Sequence, residues 1–370
     1  MPNVIDLFSG AGGLSLGASR AGFSVRGSVE IDEFASEVHR LNFAECKHIN
    51  QDVATLSGRD LLSLSGITEG NLSGLIGGPP CQGFSTIGRR EEGDSRNNLF
   101  GHFFRLVAET NPAFFVAENV PGILDPRYDQ VRAQALQQVA DRYVILKPIR
   151  VHADRYGAPT TRTRIFFIGY DPTKLSHHLT EESFLPSSEA TSTTVGEALL
   201  GLPVSICPTW QSAEEGWRPV EKLAGNWFYD RLVGAIPKNV GDASSIKRYL
   251  EKNEVSGCMG TLHTPKVVER FAATRPGKSD SISRAIRLHL DGLCPTLRAG
   301  TSKERGSYQA VRPIHPVEPR VITAREAARL QGFPDWFIFH HTKWHSFRQI
   351  GNSVSPLVAE LVLERIFKAL

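Results

Sequence analysis

The 370-residue sequence has no CxxC pair among its five cysteines, Cys46, Cys81, Cys207, Cys258 and Cys294. Scattered cysteines exclude a disulfide framework and a zinc ribbon, and they fit a reducing compartment. No uninterrupted apolar run approaches the ~18 residues that cross a membrane. The start, Met1-Pro2-Asn3, has no basic stretch ahead of an apolar segment, so no secretory signal is expected. Low-complexity tracts and internal repeats are missing too. Neither sign of charge predominates: 42 Lys and Arg against 39 Asp and Glu leave a net charge of only +3, which permits a polyanionic partner without demanding one. What is present is ordinary for a folded chain, with 41% hydrophobic and 22% charged residues. At ~150 residues per domain, the length suggests about two domains.

The N-terminal half alternates short apolar segments with amphipathic ones. Strands are expected at 4–8, 24–31, 72–77 and 113–117, with two more at 143–152 and 164–170. Helices are expected at 14–21, 33–41, 98–112 and 129–141. In the third of these, Leu99, Phe103, Leu106 and Val107 share a face. This β-α-β order predicts an α/β fold with a parallel sheet. From 172 to about 320 the chain turns to Ser, Thr, Pro and Gly with weak periodicity, which predicts a second, smaller, irregular domain. Order returns at Thr323, which forms a capping box with Glu326 for a helix closed by Gly332 and Pro334. In a last helix over 355–370, Val358, Val362, Ile366 and Ala369 line one face and Glu364 pairs with Lys368.

Four stretches carry chemistry. Gly10-Ala11-Gly12 follows a strand and opens a helix, where backbone N–H groups can approach a ligand closely. The loop departs from GxGxxG, which disfavours a dinucleotide site. Glu30, twenty residues after Gly10 at a strand end, can accept both ribose hydroxyls. Asp52 can accept from an adenine amino group. Each acid alone reads as a solvated loop carboxylate; together with the glycine turn they point to a nucleoside cofactor. Cys81, inside Gly77-Gly-Pro-Pro-Cys-Gln-Gly-Phe-Ser85, sits past a strand end on a backbone stiffened by two prolines, as a fixed nucleophile requires. The other four cysteines read as structural. Glu118 closes the next strand as an acid/base candidate. Arg162 and Arg164 alternate onto one face, where two cations can hold phosphate or depress a thiol pKa.

Taken in order, Asp6-Leu-Phe-Ser-Gly-Ala-Gly-Gly13, Gly78-Pro-Pro-Cys-Gln-Gly-Phe-Ser85, Glu118-Asn-Val120, Arg162-Thr-Arg164, Arg329-Leu-Gln-Gly-Phe-Pro334 and Gln349-Ile-Gly-Asn-Ser-Val-Ser-Pro356 resemble the motifs of bacterial DNA (cytosine-5)-methyltransferases of the restriction-modification type. The resemblance covers roughly 1–170 and 290–370. It implies a Rossmann-like methyltransferase sheet with a smaller target-recognition domain and a DNA cleft between them. The catalytic part is expected at 1–171 and 340–370, the recognition domain and hinge at 172–339. S-adenosylmethionine is the implied cofactor. Phe8 packs on its adenine, Gly10, Ala11 and Gly12 lie near its methionine part, Glu30 holds the ribose and Ile31 stacks on the base. Asp52 binds the adenine amino group beside Val53, and Pro79, Leu99, Asn352 and Val354 complete the pocket. Thr160 stands where the family usually has Gln, which puts one hydrogen bond in doubt.

The implied chemistry suits the residue types. C5 of cytosine is a poor nucleophile until a thiolate, here Cys81, adds to C6. Glu118 offsets the charge that develops at N3, with Arg162 and Arg164 orienting it. The sulfonium supplies the driving force, so no metal is expected, and no His/Cys cluster is evident. C5 lies inside a duplex, so the base must be flipped out. Double-stranded DNA is the implied partner of a cytoplasmic, bacterial monomer, and a restriction endonuclease acting on the same site is compatible with the type. Ser85, Thr296 and Arg298 are expected at DNA, and the 298–329 segment, of net charge +4, is read as a basic face. Trp210, Trp217 and Trp227 read as small-domain core, with packing against DNA as the other reading. A transfer-RNA-modifying branch of the same fold, a catalytically dead DNA-binding relative and, weakest, a dinucleotide oxidoreductase stand as alternatives.

Overall fold

A computed structural model describes residues 1–80, 98–186, 192–212, 214, 216–223, 225–300 and 312–370. The chain divides into two units. The first holds Met1–His152, Thr163–Ser187 and Val358–Leu370; the second holds Ala153–Arg162 and Ser188–Leu357. The return of the C-terminus to the first unit thus begins at Val358, and residues 340–357 cluster with the second.

The first unit runs β1 (Asn3–Leu7), α1 (Gly13–Arg20), β2 (Ser24–Val29), α2 (Glu33–Asn42), β3 (Lys47–Ile49), α3 (Gly58–Leu64), β4 (Gly74–Gly77), α4 (Asn98–Thr110) and β5 (Phe114–Asn119). Then come α5 (Asp129–Gln137), β6 (Val144–Ile145), β7 (Ile149–His152) and β8 (Thr163–Tyr170). The sheet order is β3-β2-β1-β4-β5-β8-β6, with β7 also on β8. Strands β1 to β5 pair in parallel, as helical crossovers require. The expected parallel sheet is nonetheless mixed, because β8 runs antiparallel to β5, β6 and β7. Residues 153–162 join β7 to β8 without an α-helical crossover, so the chain turns back on itself. The expected strand at 143–152 is split in two around Pro148, which has no N–H to give a ladder.

Register places the site. Leu7 aligns with Val29 and with Gly77, and Gly77 aligns with Ala117. Four strands therefore end along one edge, and the order reverses at β1, where open α/β sheets bind ligands. Ile5, Leu7, Leu75, Phe100, Phe104, Phe115 and Phe167 form the core behind that edge. The last helix, α12 (Pro356–Phe367), seats its buried Val358, Val362 and Ile366 face as expected. Gly17 of α1 permits this seating: a Cβ there falls 2.3 Å from that of Ala359.

The second unit is more helical than its sequence suggests. It contains α6 (Val195–Leu199), β9 (Arg218–Pro219), α7 (Trp227–Val233), α8 (Ala243–Lys252), β10 (Glu254–Val255), α9 (Pro265–Ala273), α10 (Ala324–Leu330) and α11 (Lys343–Asn352). These helices are short: α8 buries only Ser245 and Tyr249, too few to mark a period. The Thr323–Glu326 capping box on α10 is present, with the Thr323 N–H donating to Glu326 at 2.7 Å.

Candidate active site

The turn after β1 is conformationally demanding. Phe8, Gly10 and Gly12 have φ of +58°, +55° and +98°. A Cβ on Gly12 would fall 2.5 Å from the Phe43 ring and 3.1 Å from His39, so only glycine fits. A Cβ on Gly10 would meet nothing within 4 Å, so the loop faces open space there. Glu30 lies just past β2 and holds the loop: its carboxylate accepts the Gly10 N–H at 2.9 Å and the Asp32 N–H at 2.8 Å. Desolvation raises the Glu30 carboxyl above its ordinary range, against the pull of those bonds. Ile31 is 68% exposed beside it, Ala11 and Val53 are buried, and Asp52 is exposed and accepts the Ala54 N–H at 2.9 Å.

The neighbouring strand ends bring a second group together. Cys81 and Ser85 lie outside the described residues. Pro79, just before them, is buried, and its carbonyl accepts from Asn119 Nδ2 at 3.4 Å. That tie between β5 and the Pro-Pro loop gives Asn119 a role the sequence analysis did not assign. Glu118 belongs to β5 itself and is 8% exposed. Arg164 Nε lies 2.7 Å from Glu118 Oε1, off the line of a hydrogen bond. Gly78 leaves room for the carboxylate: a Cβ there would sit 3.3 Å from Glu118 Oε2. Leu99 is half-buried in the first turn of α4.

Arg162 does not share the place of Arg164. The strand begins at Thr163, so the alternation that put both arginines on one face does not reach Arg162. Its buried guanidinium donates to the carbonyls of Gly351 at 2.9 Å and Leu297 at 3.3 Å, all within the second unit. Thr160 is buried beside it, and its backbone bridges to Cys294. Gly351 packs on the Arg298–Ala299 backbone, with no space for a Cβ. Arg162 therefore fastens Thr296, half-buried, and Arg298, exposed, to the end of α11, where Asn352 is exposed and Val354 buried.

The expected basic face over 298–329 is largely internal where it is described. Arg320 pairs with Glu326 at 2.7 Å and Arg329 with Asp335 at 2.5 Å, while Arg325 donates to Pro334 and Phe337 carbonyls. Lys303 and Arg305 lie outside the described residues. Trp210, Trp217 and Trp227 are half-buried, with Arg218 stacked 3.2 Å from the Trp210 ring centre and Arg248 4.0 Å from that of Trp217.

Comparison with known proteins matches residues 2–368 to the family described as C-5 cytosine-specific DNA methylase. The chain belongs to that family. It is 40% identical over 375 residues to the type II methyltransferase M.XorII of Xanthomonas oryzae pv. oryzae, covering 100% of this chain and 85% of that one. It is 33% identical over 408 residues to M.DdeI of Desulfomicrobium norvegicum, covering 98% and 88%. A solved structure described as a prophage-encoded DNA modification methyltransferase of E. coli superposes with a TM-score of 0.89 at 51% identity, over 100% and 99% of the chains. The S. pombe Dnmt2 structure shares the fold, with a TM-score of 0.64 at 16% identity over 98% of each chain.

As a C-5 cytosine DNA methylase of the type II restriction-modification group, the protein is an S-adenosylmethionine-dependent methyltransferase. The strand-end geometry fits that cofactor. Glu30 spends one lone pair per oxygen on the loop and keeps others for hydroxyl donors. Gly10 opens the space in front of it, and Ile31 presents an exposed apolar side chain alongside. No helix among the described residues is long and apolar enough to cross a membrane.

Proposed function

We propose that the protein methylates C5 of a flipped-out cytosine in a specific double-stranded DNA sequence through a covalent Cys81–C6 adduct. The observation that carries this reading is the buried Glu118 carboxylate, set beside Gly78 of the Pro-Pro-Cys loop and 2.7 Å from Arg164. Glu30, Ile31, Asp52, Val53 and the Phe8–Gly12 turn hold S-adenosylmethionine, with Pro79, Leu99, Asn352 and Val354 as further lining. Bound there, the cofactor supplies a methyl group on a positively charged sulfur.

The Cys81 thiolate adds to C6 and makes C5 electron-rich. Glu118, in its protonated form, donates a hydrogen bond to N3 and so offsets the negative charge that the addition builds, while Arg164 holds the side chain in place. C5 takes the methyl group. Loss of the C5 proton to solvent and β-elimination then restore the C5–C6 double bond and the Cys81 thiolate. Arg162 supports this from a distance, by holding the segment that carries Thr296 and Arg298. Those residues and Ser85 contact DNA, and a restriction endonuclease cutting the same site is the second partner. The enzyme acts as a monomer in the bacterial cytoplasm.

Methyl-labelled S-adenosylmethionine is incubated with unmethylated genomic DNA, with transfer RNA in parallel. Label on DNA cytosine, absent with Cys81→Ser, supports the reading. Label on transfer RNA alone, or full activity in Cys81→Ser, overturns it.

A further inference from the structure

His39, Cys46 and His48 carry chemistry that the methyl transfer does not use. In sequence they read His-x6-Cys-x-His, which matches no zinc-ribbon spacing, so no His/Cys cluster was expected. The end of α2 and the entry to β3 bring them together: one donor atom from each lies within 4.8 Å of the others. His39 and Cys46 are buried and His48 is half-buried, so solvent reaches the group at His48.

His39 is oriented from behind. Its Nε2 lies 2.9 Å from Ser15 Oγ, which donates to Asp6 Oδ2 at 2.6 Å. With Ser15 donating to Asp6, the Ser15 oxygen accepts from His39 Nε2–H. The lone pair of His39 is then on Nδ1, which faces His48 Nε2 at 2.9 Å. A carboxylate-backed imidazole of this kind orients metal ligands generally. Asp6 is fully buried, and its Oδ1 has no hydrogen-bond partner among the described residues.

We propose that His39, Cys46 and His48 form a binding site for a borderline-soft divalent cation of the zinc class, with Ser15 and Asp6 orienting His39 beneath the Gly12 turn. On binding, Cys46 releases one proton to solvent and His48 moves its ring proton from Nε2 to Nδ1. Bonds of ~2.0–2.3 Å set tetrahedral ligand atoms roughly 3.5 Å apart, so the two imidazoles part by about half an ångström. Water takes the fourth position.

The wild-type protein and the Cys81→Ser, His48→Ala and Cys46→Ala variants are stripped with chelator and titrated with Co²⁺, then with Zn²⁺. Circular dichroism of each confirms folding. One Co²⁺ per chain is expected, with thiolate-to-cobalt absorption that one equivalent of Zn²⁺ abolishes. The signal persists in Cys81→Ser, weakens at least tenfold in affinity in His48→Ala and vanishes in Cys46→Ala. If Cys46→Ala does not fold, His48→Ala, altered at the solvent-facing ligand, decides alone. Absence of the thiolate signal in the wild type overturns the proposal. So does its persistence in folded Cys46→Ala, undiminished affinity in His48→Ala, or its loss in Cys81→Ser.

Discussion

Arg164 and Arg329 each set a guanidinium against a carboxylate, one in each unit, and they differ in how completely the pair is satisfied. Arg329 meets both oxygens of Asp335, at 3.1 and 2.5 Å, and donates as well to the Ala198 and Leu200 carbonyls at the end of α6. Both side chains are essentially sealed from water. Arg164 approaches one oxygen of Glu118 off-axis and spends a donor on the Thr163 carbonyl, and both side chains keep some exposure. A pair with every bond made holds a fold. A pair with an under-used carboxylate at a strand edge has capacity left for a ligand.

The sharpest way to break this contrast is to remove one partner from each pair. Arg329→Leu leaves Asp335 buried without its cation, so urea unfolding should show a loss of ~3–5 kcal/mol. A loss under ~1 kcal/mol would show that the pair is not what holds α6 to α10. Glu118→Gln should do the reverse. It keeps the shape at the strand edge, so unfolding stays within ~1 kcal/mol of wild type, while the methyl-transfer rate falls ~10²–10⁴-fold.

A third pair refines the comparison through pH. Burial alone would raise the Asp280 carboxyl, but the Ser283 hydroxyl and amide and the Arg270 guanidinium, 2.6 Å away, outweigh it and hold it at about 2. The folded value lies below the unfolded one. The stability it contributes is therefore complete above pH ~4 and lost as pH falls through ~2, roughly 2 kcal/mol in all. Unfolding measured from pH 5 to 2 should show that slope in wild type and a flatter one in Asp280→Asn; parallel curves would remove Asp280 from the account. The smallest effect is expected at the α10 capping box, where Thr323→Ala should cost ~1 kcal/mol with activity retained on the folded fraction.

Legibility followed distance along the chain. The Thr323–Glu326 box spans three residues and was readable, and so was the Glu364–Lys368 pair, found at 2.6 Å. The glycine turn and the strand-end acid Glu30 were each legible, but the bond from the Gly10 N–H to Glu30, twenty residues on, was not. Arg162 and Arg164 looked alike because nothing local shows that the strand starts at Thr163, or that the carbonyls receiving Arg162 lie at 297 and 351. The arginines of 298–329 read as a surface charge excess because burial is not a property of composition.

By itself, then, the sequence determined the α/β order and the strand-end edge where the glycine turn, Glu30 and Glu118 lie, since period, turn chemistry and motif are local. Only the tertiary structure decided the antiparallel β8, which arginine meets Glu118 and which fastens Thr296–Arg298, and the meeting of His39, Cys46 and His48. Those outcomes depend on which distant groups share a buried volume. There an unpaired charge or polar atom costs more than any local preference can offset.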